Sequence, residues 1–454
     1  MEISRIELNY NTLHNEIRNA PSIKNIYDTA TSINMPVLAI THIASKKKSP
    51  SFYEKLQKAF HSKSIKKSKP LKVIYGIEID VVDDLTPPVQ STKTVCTNDI
   101  FTVIDIETSG LSPKKDNIIK ISATKLHNNK IIDLYVSLIN PGYSIPLAWE
   151  KMSGIKDDML MESPFLENVL PDFVQFCQDS VIVTYNAQFV LSFIKAATDR
   201  IGLSFNPNII DILGLAQRLI PQKESLRLDS IEKNLGIKHS SKKYHELREV
   251  YIFQNLLSLV KQQNIKDFTQ INLSPLPDLT LKKTGHYSRI IILAKNESGL
   301  QDINEIISVS VSRGSILPLI TTKSTINKYR TNCLIGCCYS YGELMDAEIS
   351  SQSNARIREI FSFYDYIEIS MAKNYKTRHV AHSSLGMQDL LDINRQLIYD
   401  ATLCNIPVIA TSHDLMATEE LLNKFIYLCA EKSKKIVIDN PCHIASMIEP
   451  TIII

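Results

Sequence analysis

Short apolar runs rich in β-branched residues recur along this chain with segments of helical period between them. That alternation constrains the fold more than any other feature of the sequence. Val37-Leu38-Ala39-Ile40, Val73-Ile74-Tyr75-Gly76-Ile77, Phe101-Thr102-Val103-Ile104 and Val181-Ile182-Val183-Thr184 have the length and composition of buried strands. So do Ile118 to Ala123, Ile131 to Leu138, Ile290 to Ala294, Leu334-Ile335, Tyr366 to Ile369 and Val408-Ile409-Ala410. Ile23, Ile26, Tyr27, Ala30 and Ile33 recur at helical spacing, as do Phe52, Leu56 and Phe60. Strand, helix, strand in this rhythm predicts an α/β protein with parallel pairing.

Two polar stretches divide the pattern. Thr86-Pro87-Pro88 through Asn98-Asp99 reads as a linker, and Asn272 to Asp278 marks a second boundary. The resulting blocks are 1–92, 98–265 and 280–454, and 454 residues suffice for two or three cores. Lys+Arg 51 against Asp+Glu 48 leaves a formal charge of +3, so any nucleic-acid binding would need a local patch. Lys46-Lys47-Lys48 with Lys63, Lys66, Lys67 and Lys69 is such a patch. A solvated face is the expectation for it. The 8 cysteines fit neither zinc knuckles nor a disulfide framework, which predicts core thiols in a reducing compartment. No signal-peptide pattern follows Met1 and no apolar run approaches membrane-spanning length, so a cytoplasmic protein with no membrane partner is expected.

Asp105-Ile106-Glu107 closes an apolar strand, and carboxylates at i and i+2 share one face of it. Together they can hold a hard divalent cation through oxygen. Alone, such a pair is more simply a solvated strand end. The run around it, FTVIDIETSGLSPKKDNIIKISATKL with SLINPGYSIP and SGIKDDML, resembles the DnaQ-like proofreading exonucleases of the DEDDh type. VTYNAQFVLSFI is similar to their second motif, IIDILGLAQRLIP and LDSIEKNLGI to the following run, and KKYHELREVYIF to the third motif. The resemblance implies a ribonuclease-H-like fold, Mg²⁺ or Mn²⁺ as cofactor and 3′→5′ hydrolysis, with a histidine as general base. Carried over position by position, the metal-binding set is Asp105, Glu107 and Glu249. The second-motif Asp falls on Val190, its His on Tyr185, and the general base on Tyr244. A tyrosine with a pKa near 10 is a poor base at neutral pH, and loss of a positioned base costs on the order of 10²–10⁴ in rate. His245 is one residue out of register and would point about 100° away on a helix. Thr108, Tyr185, Asn186 and Phe189 match positions that line the terminal-nucleotide pocket of the family.

The flanking blocks resemble a PHP domain. ISRIELNYNT is similar to its opening motif, MPVLAITHIA and KVIYGIEIDVVDD to its next two strands, and RIIILAKNESGLQDINEIIS, CLIGCCYSYGEL, FYDYIEI and PVIATSHDL to later ones. A DnaQ-like domain inserted into a split PHP-type distorted β/α barrel is the arrangement of the PolC-type DNA polymerase III family. The resemblance implies a metal cluster at the barrel's C-terminal end. Here its ligand positions fall on Asn9, Asn11, His42, Glu78, Arg289, Tyr339 and His413. The expectation is a metal-free pocket in which Arg289 pairs with Glu78; the alternative is one zinc on His42, Glu78 and His413. The chain ends near EKSKKIVIDNPCHIASMIEP, which resembles the segment before the polymerase domain, so no polymerase activity is expected of it. The resemblance therefore implies a PolC-like fragment with both sites degenerate, which binds single-stranded DNA 3′ ends or replication proteins. A working metal-dependent exonuclease is the alternative.

Overall fold

The computed structural model describes residues 5–11, 23–44, 71–110, 113, 116–145, 154–220, 228–237, 247–273, 287–312, 319–349, 354–370, 387–412, 415–449 and 452–453. In chain order its strands are β1 (Glu7–Asn11), β2 (Val37–Ile43), β3 (Lys72–Val82), β4 (Val89–Gln90), β5 (Phe101–Thr108), β6 (Ile118–His127), β7 (Lys130–Leu138), β8 (Val181–Thr184), β9 (Ile209–Asp211), β10 (Ser288–Ala294), β11 (Ile320–Thr322), β12 (Cys333–Cys337), β13 (Tyr366–Ser370), β14 (Val408–Thr411) and β15 (Ile452–Ile453). The chain divides into two compact units. One comprises Met1–Leu85, Gly285–Glu348 and Asn354–Ile454; the other comprises Thr86–Thr284 with Ile349–Ser353. The chain leaves the first unit after β3 and returns to it at β10, and these two strands are antiparallel neighbours. Each apolar run singled out in the sequence is a strand. The expected helix over Ile23 to Ile33 is Ile23–Ser32. Phe52, Leu56 and Phe60 lie outside the described residues, as do the lysines of the basic patch.

The first unit is built on a nine-stranded sheet of order β1-β2-β3-β10-β12-β13-β14, with β11 and β15 also paired to β3. The expectation of parallel pairing holds for β1-β2-β3 and for β12-β13-β14, but β10 runs antiparallel to both β3 and β12. Ile74, Ala39, Ile291, Leu293, Tyr366 and Ile409 belong to one of its core clusters. Side chains of β1 reach the far strands. Glu368 on β13 accepts from Asn9 Nδ2 (3.0 Å), Thr411 Oγ1 (2.6 Å) and the Tyr339 amide (3.0 Å), and Ser412 Oγ donates to Glu7.

The second unit holds a six-stranded sheet of order β4-β9-β8-β5-β6-β7. β5-β6-β7 form an antiparallel meander, and β8 and β9 lie parallel to β5 on its other side. Period-two alternation along β5 sends Phe101 and Val103 into the core under the helix Arg248–Gln262. Ile104 and Ile106 enter the opposite core, under the helices Leu166–Cys177 and Ala187–Arg200. Two cores on the two faces of one sheet leave the acid pair Asp105 and Glu107 at the end of the central strand.

Candidate functional site

Asp105 and Glu107 continue the face of Phe101 and Val103. The register sets Asp105 opposite Ser122 and Glu107 opposite Lys120, and the next row outward pairs Ser122 with Val136 and Lys120 with Leu138. Glu249 reaches the same region from the first turn of the 248–262 helix, where it accepts from the Tyr185 amide at 3.3 Å. Burial raises Glu249 well above the usual carboxylate range, and the charge of Asp105 adds to it; the Tyr185 amide pulls the other way. Glu107 is raised by burial and by Asp105, with Lys120 opposing. Asp105 is thus close enough to both Glu107 and Glu249 for its charge to act on each. Even so, among the described residues no three His, Cys, Asp or Glu side chains converge tightly enough to hold a metal ion.

Val190 does not complete that set. It is 4% exposed and belongs to the apolar core of Ile104, Ile106, Phe193 and Ile194, under the sheet face opposite the acid pair. Val190 therefore supplies no ligand to that set. Tyr244 and His245 lie outside the described residues. Asn186 adopts a left-handed conformation (φ 56°) at the start of the 187–200 helix. Phe189 packs on Phe193 with ring centroids 5.1 Å apart, so its ring is at least partly core. Thr108 is buried and its hydroxyl donates to the Gly110 carbonyl at 2.6 Å.

Asp211 and Lys120 were not legible as site residues. Asp211 Oδ1 accepts from the amides of Leu213 (3.1 Å) and Ala187 (3.3 Å), so one carboxylate caps the 212–219 helix and ties the start of the 187–200 helix to it. An Asp directly before an amphipathic run is the sequence signal of such a cap. Burial pushes Asp211 up to about 6 against those amides. Lys120 could have been found only from the β5–β6 register.

In the first unit the expected Arg289–Glu78 ion pair is present, and Asp80 joins it. Arg289 lies directly opposite Asp80 and diagonal to Glu78, so its Nε meets Asp80 Oδ1 at 3.0 Å and its Nη1 is 3.7 Å from Glu78 Oε2. Asp80 had the same signal as Asp105–Glu107, an acid two residues from another on one strand. His42 pairs with Ile77 and Ile43 with Glu78 in the β2–β3 register, so His42 and Glu78 point to opposite faces. The sheet thereby separates two of the three ligands of the alternative zinc site; His413 lies outside the described residues. Asn9 bridges Glu368 and Thr41, whose hydroxyl donates to Asn9 Oδ1 at 2.6 Å. Asn11 is the last residue of β1, and Tyr339 is buried.

A meander flanked by two parallel strands, with an acid pair at the end of its first strand, makes this unit an α/β domain. The family model described as RNase_T: Exonuclease matches residues 102–246. The similarity extends beyond that domain. DNA polymerase III PolC-type of Caldanaerobacter subterraneus subsp. tengcongensis is 29% identical over 486 residues, 99% of this chain and 34% of that protein. The PolC-type enzymes of Clostridium perfringens and Staphylococcus aureus are 28% and 27% identical, again over 99% of this chain. The chain spans about a third of the length of these relatives. A solved structure, Exonuclease X in complex with 5′ overhanging duplex DNA, is similar at 22% identity and a TM-score of 0.30, covering 38% of this chain and 99% of that one.

Proposed function

We propose that this chain is PolC-like and that its exonuclease-type unit binds single-stranded DNA 3′ ends, or replication proteins, with negligible turnover. The burial of Val190 in an apolar core carries the reading. A catalytic centre of this class needs carboxylates from several elements around its metal ions, and here one of those elements contributes a core side chain. Replacement of the general base by Tyr244 points the same way. The first unit is a split PHP-type distorted barrel, a reading supported by the hydrogen bonds that join Asn9 on β1 to Glu368 on β13 and Glu7 on β1 to Ser412 just past β14. Its pocket is filled by side chains without metal: Arg289 stands between Glu78 and Asp80, and Glu368 is satisfied by three donors.

Gathering of Asp105, Glu107 and Glu249 favours the second reading, a working metal-dependent 3′→5′ exonuclease. Digestion of a 3′-labelled single strand in Mg²⁺ or Mn²⁺ separates the two. The expected result is no mononucleotide release above that of Asp105→Ala, together with retention of the strand in a gel-shift assay. Metal-dependent release that vanishes in Asp105→Ala would establish the second reading instead.

A further inference from the structure

The two units share a geometry. In each, a strand carries two acids at i and i+2, and the antiparallel neighbour sets a basic residue directly opposite the second acid. In the first unit the acids are Glu78 and Asp80, and the basic residue is Arg289 opposite Asp80. In the second they are Asp105 and Glu107, and the basic residue is Lys120 opposite Glu107. Directly opposed residues have Cβ atoms about 4.5–5.5 Å apart and project from one face. Each acid pair therefore has a tethered cation built into the sheet beside it.

We propose that Lys120 is a resident cation that stands in for a divalent metal ion at the acid pair of the exonuclease-type unit, and that removing its charge opens the pair to a divalent cation. The inference rests on the reading of this unit as non-catalytic and adds a cause to it. Lys120 is half-buried, on the acid-bearing face, and its charge favours the ionised forms of both Asp105 and Glu107. Among the described residues another nearby cation, Arg248, is committed elsewhere: it donates to Glu232 through Nε (2.7 Å) and Nη2 (2.6 Å), and also to Asp229. A second positive charge arriving beside a fixed ammonium is repelled, and in a half-buried site that repulsion outweighs what bulk water would allow. On the same reading the acid pair keeps a counter-ion although Val190 supplies no further ligand.

Mn²⁺ binding followed by loss of the free-ion EPR signal tests this on the full chain without reference to turnover. Wild type and Lys120→Arg are expected to bind weakly. Lys120→Gln should bind on the order of tenfold or more tighter. The double variant Lys120→Gln/Asp105→Ala should lose that gain, which locates the ion at the acid pair. Circular dichroism of each variant shows whether it is folded, and Lys120→Met serves as a second neutral variant if Lys120→Gln is not. Equal affinity of the wild type and a folded neutral variant, whether strong or undetectable, overturns the inference. Tight Mn²⁺ binding by an inert wild type would overturn it while leaving the non-catalytic reading standing. Mn²⁺-dependent cleavage by the wild type would remove that reading itself.

Discussion

Asp211 is the residue whose role depends most on its surroundings. It accepts from two amides that open different helices, yet burial holds it near 6, above the ordinary aspartate value of about 3.9. The folded chain thus keeps a proton that the unfolded chain gives up. Its contribution to stability is fully present below about pH 4 and is lost as pH rises toward 6, an effect of at most about 3 kcal/mol. Asp211→Asn keeps an acceptor for the amides and cannot ionise. Urea unfolding should show the Asn variant gaining on the wild type between pH 4 and pH 7. A difference between the two that does not change with pH would mean Asp211 titrates normally. Val190 teaches a related lesson: its identity was plain in the sequence, but not that its side chain lies under the opposite face of the sheet.

Strand pairing decides what the acidic elements do. On β3 alone, Glu78 and Asp80 are two buried carboxylates in want of a partner. The pairing with β10, more than 200 residues later in the chain, supplies Arg289 to both. Removing one partner from a buried ion network costs about 3–5 kcal/mol, because the remaining charges stay buried. Arg289→Met should lower stability by that amount in denaturant unfolding. Adding Glu78→Gln and Asp80→Asn to Arg289→Met should recover much of the loss, since neutral amides no longer need the guanidinium. If the triple variant is no more stable than Arg289→Met, the cost lies in packing and not in charge. The first strands of this sheet could be read from period and composition, but the partner of β3 could not, because no local signal reports a neighbour so distant in sequence.

Across the whole molecule, separate cores in the two units make thiol chemistry a test of both units at once. Burial pushes the Cys177 thiol in one unit, and the Cys333 and Cys337 thiols in the other, up to about 12, while Cys429 is exposed. At pH 8 a thiol with that pKa is thiolate only about 10⁻⁴ of the time, and burial blocks access as well. Iodoacetamide labelling of the native chain, read by mass spectrometry, should mark Cys429 first and leave those three untouched until urea unfolds the chain. Early labelling of Cys177 alone would mean that the core of the exonuclease-type unit is not formed. The sequence by itself determined the α/β class, the position of most strands, the acid pair Asp105–Glu107 and the similarity of its order of motifs to the PolC family. Those depend on local period and on residues close together in the chain. Only the tertiary structure decided that Lys120 faces Glu107, that Arg289 belongs first to Asp80, that His42 and Glu78 are turned apart and that Val190 joins the core. Each of these depends on strand register or on which face of a sheet a side chain meets, and a shift of one residue in register would reverse it.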